Sequence, residues 1–269
     1  MGMTTLVMAC IAAALIPLFA VLTYVLQQGM SRLDLALLTQ LPSPPGSEGG
    51  GLANAILGTL MVVGVATLIA VPLGIAAAIY LAEFSQGKQL GRWIRFMTNM
   101  LSGVPSIIAG VFAYGLLVRT GLTGYSAIAG GVALAVLMLP TIILATYEAL
   151  QLVPQEIRWA AFGIGASHSQ TILWMVLPAA TPTIVTGVML AIARAAGETA
   201  PLIFTALNSS FWPNGFLEPI ATLSVVVFNF STYPFAPQQA LAWAGSLILV
   251  LLVLIASIAA RMATQRQVY

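Results

Sequence analysis

Two residues stand out for the chemistry that their types and spacing allow. Arg194 and Glu198 lie inside the apolar stretch VMLAIARAAGETAPLIFTAL. Burying either charge at the centre of a bilayer helix costs about 2.5–3.5 kcal/mol on insertion scales, so such residues mark a role. Four positions apart on a helix, they share one face. Small residues run beside them, Gly187, Ala191, Ala195 and Thr199, where another helix can approach closely. Pro201 cannot donate to the carbonyl of Gly197, and Gly197 loosens the same turn, so a broken backbone is expected here. Two readings are open. In one, the pair is a salt bridge that orders the bundle. In the other, Arg194 attracts an oxyanion with its bidentate fork. Glu198 would then hold the empty guanidinium and repel the anion, keeping binding weak enough for release. Arg194, Glu198 and Thr199 are the candidate substrate-pathway residues, and their chemistry fits phosphate, sulfate or molybdate equally well.

A second signal sits just upstream, in the polar segment VPQEIRWAAFGIGASHSQTILWMVLP. Pro154 is suited to start a short helix, since proline at a first helical position forfeits no hydrogen bond. Gly163 and Gly165 end that helix. Ser167 followed by Gln170 spells a capping box for a second short helix, TILWMV, running to Leu177-Pro178. Thr181-Pro182 caps the next apolar run. The result is a compact helical knob. It could dock on a protein, or lie on lipid as an amphipathic hairpin with Trp159 and Trp174 at the interface.

The elements that position these residues follow from composition. The chain has 269 residues, 60% hydrophobic and 6% charged, with mean hydropathy +1.01. About 20 apolar residues cross a bilayer core. Six runs qualify, near 5–26, 53–82, 97–118, 126–147, 178–206 and 240–260, and they are apolar nearly all round, unlike the striped helices of a soluble core. The expected fold is all-α, a polytopic transmembrane helix bundle of six spans. The second run is long and carries Pro72, so tilt or a kink is expected. The third holds LSGVPSIIAG, which suits a bent helix in close contact with others. The first run lacks a basic leader and exceeds a signal-peptide core, so it reads as a retained helix.

Lys88, Arg92, Arg95, Arg158, Arg261 and Arg266 fall on one side of the expected spans, Arg32 and Arg119 on the other. That bias puts the knob and both termini in the cytoplasm. Segment 31–51 is then external and packed. Segment 208–239 is also external, with IATLSVVVFNF too short to span and expected against the outer face of the bundle. Single Cys10 precludes an intrachain disulfide. The chain lacks a G-x-x-x-x-G-K-[ST] stretch, so it does not cradle ATP phosphates itself. One histidine, His168, and one aspartate, Asp34, leave no metal cluster and no Ser-His-Asp machinery. Nothing suggests nucleic acid.

Three stretches carry a family resemblance: GGGLANAILGTL…AVPLGIAAAIYLAEF, IARAAGETAPLIFTAL, and FWPNGFLEPIATL with the final LAWAGSLILVLLVL. Together they resemble the PstA-type permease subunits of bacterial phosphate ABC importers over residues 48 to 262. The knob is similar to the cytoplasmic motif E-A-A-x3-G-x9-I-x-L-P of such subunits. Ala160, Ala161, Gly165, Leu177 and Pro178 match; Met175 replaces the isoleucine, and Trp159 stands where the glutamate is usual. The resemblance implies a type I ABC-importer permease fold with cytoplasmic coupling helices over 48–269, after an N-terminal helix and loop over 1–47. It implies a non-catalytic, multi-pass subunit of the bacterial inner membrane that carries phosphate. Implied partners are a second, PstC-type permease, a PstB-type ATPase dimer that binds ATP and Mg, a PstS-type extracytoplasmic phosphate-binding protein, and membrane lipid. The knob residues Glu156, Arg158, Ala160, Ala161, Gly165, Leu177 and Pro178 would couple to the ATPase, with Glu156 or Arg158 in the place of the missing glutamate. An ion-gradient carrier or channel for an oxyanion is the alternative from another class.

Overall fold

A computed structural model describes residues 2–85 and 87–265; Arg266, counted above in the charge bias, lies outside them. The described elements are all helical: α1 (Gly2–Met30), α2 (Leu35–Thr39), α3 (Ala53–Ile79), α4 (Gln89–Ser102), α5 (Ser106–Ala113), α6 (Ala127–Gln151), α7 (Gln155–Gly163), α8 (His168–Thr171), α9 (Leu177–Gly197), α10 (Ala200–Thr205), α11 (Leu223–Thr232) and α12 (Ala236–Gln265). Single π-turns extend α3 over Tyr80–Phe84 and α5 over Tyr114–Val118, and a third, Ile172–Val176, joins α8 to α9.

Five helical stretches are long and apolar enough to cross a membrane: Met3–Met30, Ala53–Phe84, Ala127–Gln151, His168–Gly197 and Ala236–Met262. The expected third span, near 97–118, is not one straight helix. It breaks at Gly103-Val104-Pro105 into α4 and α5 with its π-turn, bent by 108°. A residue before proline is pushed out of the α region, and Pro105 has no amide to continue the ladder. The count of six spans therefore holds only if this bent pair is one of them.

The core is built where small residues let helices approach. Ala66 and Ala70 of α3, Leu134, Ala135 and Met138 of α6, and Ala191 and Ala195 of α9 are all buried in one cluster. Without a hydrophobic drive between spans in lipid, this packing of small side chains is what holds them. Gly110 of α5 sits so close to α10 that a Cβ there would lie 2.5 Å from the Cα of Pro201. α1 is exposed along most of its length and leans on α12, Tyr24 against Trp243 edge-to-face at 5.0 Å. The external loop before α3 is packed as expected: buried Gln238 accepts from the Gly46 amide and donates to the Pro44 carbonyl, each at 3.1 Å.

Segment 208–239 departs from expectation. Its apolar core is a helix, α11, and it is inserted into the bundle rather than laid on its outer face. Leu223, Val226 and Phe230 join Leu52, the N-cap of α3, Ala55 of α3, and Leu241 and Ala244 of α12 in a second buried cluster. The Leu223 amide donates to Thr59 Oγ1 at 2.8 Å, which fixes the start of α11 against α3.

Candidate functional site

The knob is built from α7 and α8. Pro154 is the N-cap of α7 rather than its first residue, with extended backbone. Gly165 ends the helix at φ +87°, a left-handed conformation that glycine adopts without the steric cost of a Cβ. Ser167 and Gln170 close the expected capping box: the Ser167 amide donates to Gln170 Oε1 at 2.8 Å and the Gln170 amide to Ser167 Oγ at 3.3 Å.

The second short helix does not stop at Leu177-Pro178 as expected. It runs on through the π-turn, so His168–Gly197 forms one helical rod of 30 residues. Pro178 falls in the first turn of α9, where the wider π-turn before it absorbs the missing amide. At 1.5 Å per residue the rod spans about 40 Å from His168 to Arg194.

Glu156, Trp159, Ala160, Gly165 and Pro178 are exposed, Leu177 is half-buried, and Ala161 is buried against the rest of the knob. Trp159 is 65% exposed and Trp174 75%, with Ile164 and Leu173 exposed beside them. Arg158 faces the other way. Its Nη1 donates to Glu83 Oε1 and its Nη2 to the Leu150 carbonyl, both at 2.8 Å, and its side chain is 11% exposed. The alternative of Arg158 as the replacement contact thus finds its guanidinium already engaged inside the chain, and Glu156 is the carboxylate on the open face. Glu83, in the π-turn that ends α3, was not singled out from sequence. Only a pattern linking positions 75 residues apart could have found it. His168 lies near Glu83, Nε2 to Oε2 at 4.0 Å, with its ring against Phe84 and Phe162.

At the other end of the rod, α9 stops at Gly197. Glu198 is its C-cap with extended backbone, φ −71° and ψ 126°, so the two charges do not stack on one continuous helix as expected. They still meet: Arg194 Nε lies 3.5 Å from Glu198 Oε1. Arg194 occupies the last turn of α9, where the helix dipole favours a cation. Its side chain is 64% exposed, that of Glu198 17%. The expected backbone break is present, and it is bonded to the inserted helix. Ser224 Oγ donates to the Glu198 carbonyl at 2.9 Å, and Thr199 Oγ1 to the Ser224 carbonyl at 3.5 Å. Gly187, Ala191 and Ala195 are buried, with Gly187 against Ala145 of α6. Arg194 lies on a different face, beside exposed Leu190. The break joins α9, α10, α5 and α11, and the Arg194 guanidinium beside it is largely exposed.

Comparison with known proteins fits this geometry. A family model described as binding-protein-dependent transport system inner membrane component matches residues 70–269. The phosphate transport system permease protein PstA of Yersinia pestis is 43% identical over 94% of this chain and 86% of its own length. The protein of the same name from Haemophilus influenzae is 40% identical over 92% and 87%. The probable ABC transporter permease protein YqgI of Bacillus subtilis is 34% identical over 97% and 92%. Among solved structures, a bacterial alginate ABC transporter in complex with an alginate pentasaccharide-bound periplasmic protein superposes with TM-score 0.69, at 15% identity, covering 98% of this chain and 94% of that one. The inward-facing MetNI methionine ABC transporter superposes with TM-score 0.66, at 18% identity, covering 81% and 96%. The fold is that of the type I ABC-importer permeases.

Proposed function

Because the chain belongs to the binding-protein-dependent transport system inner membrane components, we propose that it is the multi-pass permease subunit that carries inorganic phosphate in an ATP-driven importer. Its relatives at about 40% identity are named as phosphate transport system permeases. The observation that carries the pathway is Arg194: a guanidinium about two-thirds exposed on an apolar bundle, held on one side by Glu198 and open on the other. A charge in that setting needs an aqueous lumen or a second subunit opposite it. A second, PstC-type permease would supply the facing wall. Arg194 then offers charge-assisted hydrogen bonds to the passing anion, and Thr199 lines the break beside it.

The exposed apolar knob is the coupling site in this reading. Trp159, Ile164, Leu173 and Trp174 are exposed apolar side chains of the knob and of the π-turn after it, which a protein partner would cover. A PstB-type ATPase dimer, which would hold ATP and Mg, closes on Glu156, Ala160 and Gly165 and pushes the rod His168–Gly197. That movement shifts the bundle between inward- and outward-open states. An extracytoplasmic, PstS-type binding protein delivers phosphate at the opposite end. The Glu83–Arg158 contact supports assigning the 83–96 turn and the knob to one side, in line with the Lys/Arg bias that puts both termini in the cytoplasm.

The test is uptake of radiolabelled phosphate by the assembled complex in proteoliposomes. Arg194→Leu removes charge-assisted bonds and should lower uptake about tenfold to a hundredfold, with the complex still purifying intact. Uptake at the wild-type rate would refute the anion-site role.

A further inference from the structure

On the knob side of the bundle, between the turn after α3 and the last part of α6, lies a cavity of ≈ 330 Å³ lined by Ser85, Lys88, Arg92, Arg95, Tyr147 and Gln151, among others. Three of its lining side chains are cations and none is a carboxylate. The cations are arranged by the fold. Arg92 and Arg95 project from α4, and Lys88 is the residue that caps its start. Arg95 is fixed twice on α6: Nη2 donates to Tyr147 Oη at 2.9 Å, and its guanidinium carbon lies 4.7 Å from the centre of the Tyr147 ring. Arg92 Nη2 reaches Gln89 Oε1 at 3.2 Å. The two carboxylates closest in sequence are occupied or turned away: Glu83 is held by Arg158, and Glu148 is exposed outside the lining.

A second cavity of ≈ 290 Å³ adjoins the first through Arg92 and is lined by Gln89, Arg92, Trp93 and Phe96. Trp93 and Phe96 are both about half exposed and meet edge-to-face at 5.9 Å. α4 thus presents cations to one cavity and an aromatic pair to the next.

We propose that this paired cavity is a second anion site, distinct from Arg194, that binds a phosphate group through Lys88, Arg92 and Arg95. Guanidinium forks match phosphate oxygens bidentately, and a lysine adds a point charge. An anionic phospholipid presents that chemistry with acyl chains for Trp93 and Phe96; free phosphate leaving the pathway presents it alone. Basic residues on an amphipathic interfacial helix recruit anionic headgroups in this way.

The experiment uses the whole importer complex. Native mass spectrometry counts retained phosphatidylglycerol against phosphatidylcholine, and equilibrium dialysis with radiolabelled inorganic phosphate measures the free anion. Lys88→Gln with Arg92→Gln leaves the Arg95–Tyr147 bond in place, and Arg119→Gln, on the other side of the charge bias, is the charge control. Each cation contributes about a fivefold effect at an anionic surface, so the double variant should lose about 25-fold in affinity and the control none. Loss of phosphatidylglycerol alone identifies the lipid as the source; loss of inorganic phosphate binding identifies the free anion. Equal retention of both ligands by wild type and double variant overturns the proposal. So does a wild-type complex that holds phosphatidylglycerol no better than phosphatidylcholine and binds no phosphate outside the Arg194 site, which needs no variant to assemble.

Discussion

Two arginine–glutamate pairs, Glu83–Arg158 beside the knob and Arg194–Glu198 at the far end of the rod His168–Gly197, differ in spacing, contact distance and exposure. Glu83 and Arg158 are 75 residues apart, 2.8 Å from nitrogen to oxygen, and 9% and 11% exposed. Arg158 also donates to the Leu150 carbonyl. Arg194 and Glu198 are neighbours in sequence, make one contact at 3.5 Å, and leave the guanidinium largely open. Burial makes the first pair a strut, because separating it strands a charge away from water. Exposure leaves the second pair loosely held, as the proposed exchange of its carboxylate for a passing anion requires. The same two side-chain types are a closed, buried pair beside the knob and a loose, largely open one at the far end of the rod.

Breaking the strut should have the largest effect on stability. Glu83→Gln leaves Arg158 buried without its counter-charge and should cost about 3 kcal/mol, read as lowered thermal stability of the purified complex. Glu83→Leu combined with Arg158→Met should recover most of that loss, because a buried ion pair is replaceable by apolar volume. A loss below about 1 kcal/mol for Glu83→Gln would place this pair with exposed surface pairs and erase the contrast.

Next come the supports of the open pair. Gly110→Val drives a side chain into Pro201 of α10, the helix that follows the break at Glu198. Overpacking of this kind should cost about 2 kcal/mol and lower phosphate uptake, since the break cannot close against α5. At the knob, Ser167→Ala removes half of the capping box and should cost about 1 kcal/mol. Its signature is local: faster hydrogen exchange in 155–171 with the spans unchanged. Uniform exchange along the chain would show that the knob is not a separate lever.

How much of this was legible in the sequence follows from the range of each interaction. Helix length and apolar content are local, so the stretches at Met3–Met30, Ala53–Phe84 and Ala127–Gln151 are readable directly. The capping box of Ser167 and Gln170 and the break after Gly197 are local too, and both are present. Pro105 signalled a bend but not its angle, because a proline disrupts the ladder while packing on α10 sets the direction. Leu177-Pro178 read as a stop since the π-turn that accommodates it has no strong residue signature. The β-branched run of α11 read as a surface segment, and only its burial beside Leu52, Ala55 and Leu241 makes it core. Glu83 was invisible for the plainest reason: nothing within four residues distinguishes it from a solvated carboxylate at a span's end.

The smallest expected stability change separates the two pairs most sharply. Glu198→Gln keeps shape and hydrogen-bonding capacity while removing the charge beside Arg194. A single contact at 3.5 Å to a largely exposed guanidinium contributes little, so stability should change by no more than about 0.5 kcal/mol. The Ser224 bond to the Glu198 backbone carbonyl is independent of the side chain and survives. Transport should nonetheless change in a specific direction. Without the carboxylate's repulsion the anion binds more tightly and leaves more slowly, so KM for phosphate falls together with the maximal uptake rate. Arg194→Leu should instead weaken anion binding, so uptake falls about tenfold to a hundredfold. If Glu198→Gln leaves both kinetic constants at wild-type values, the carboxylate does not gate the site, and the exposed pair is a weaker copy of the buried one.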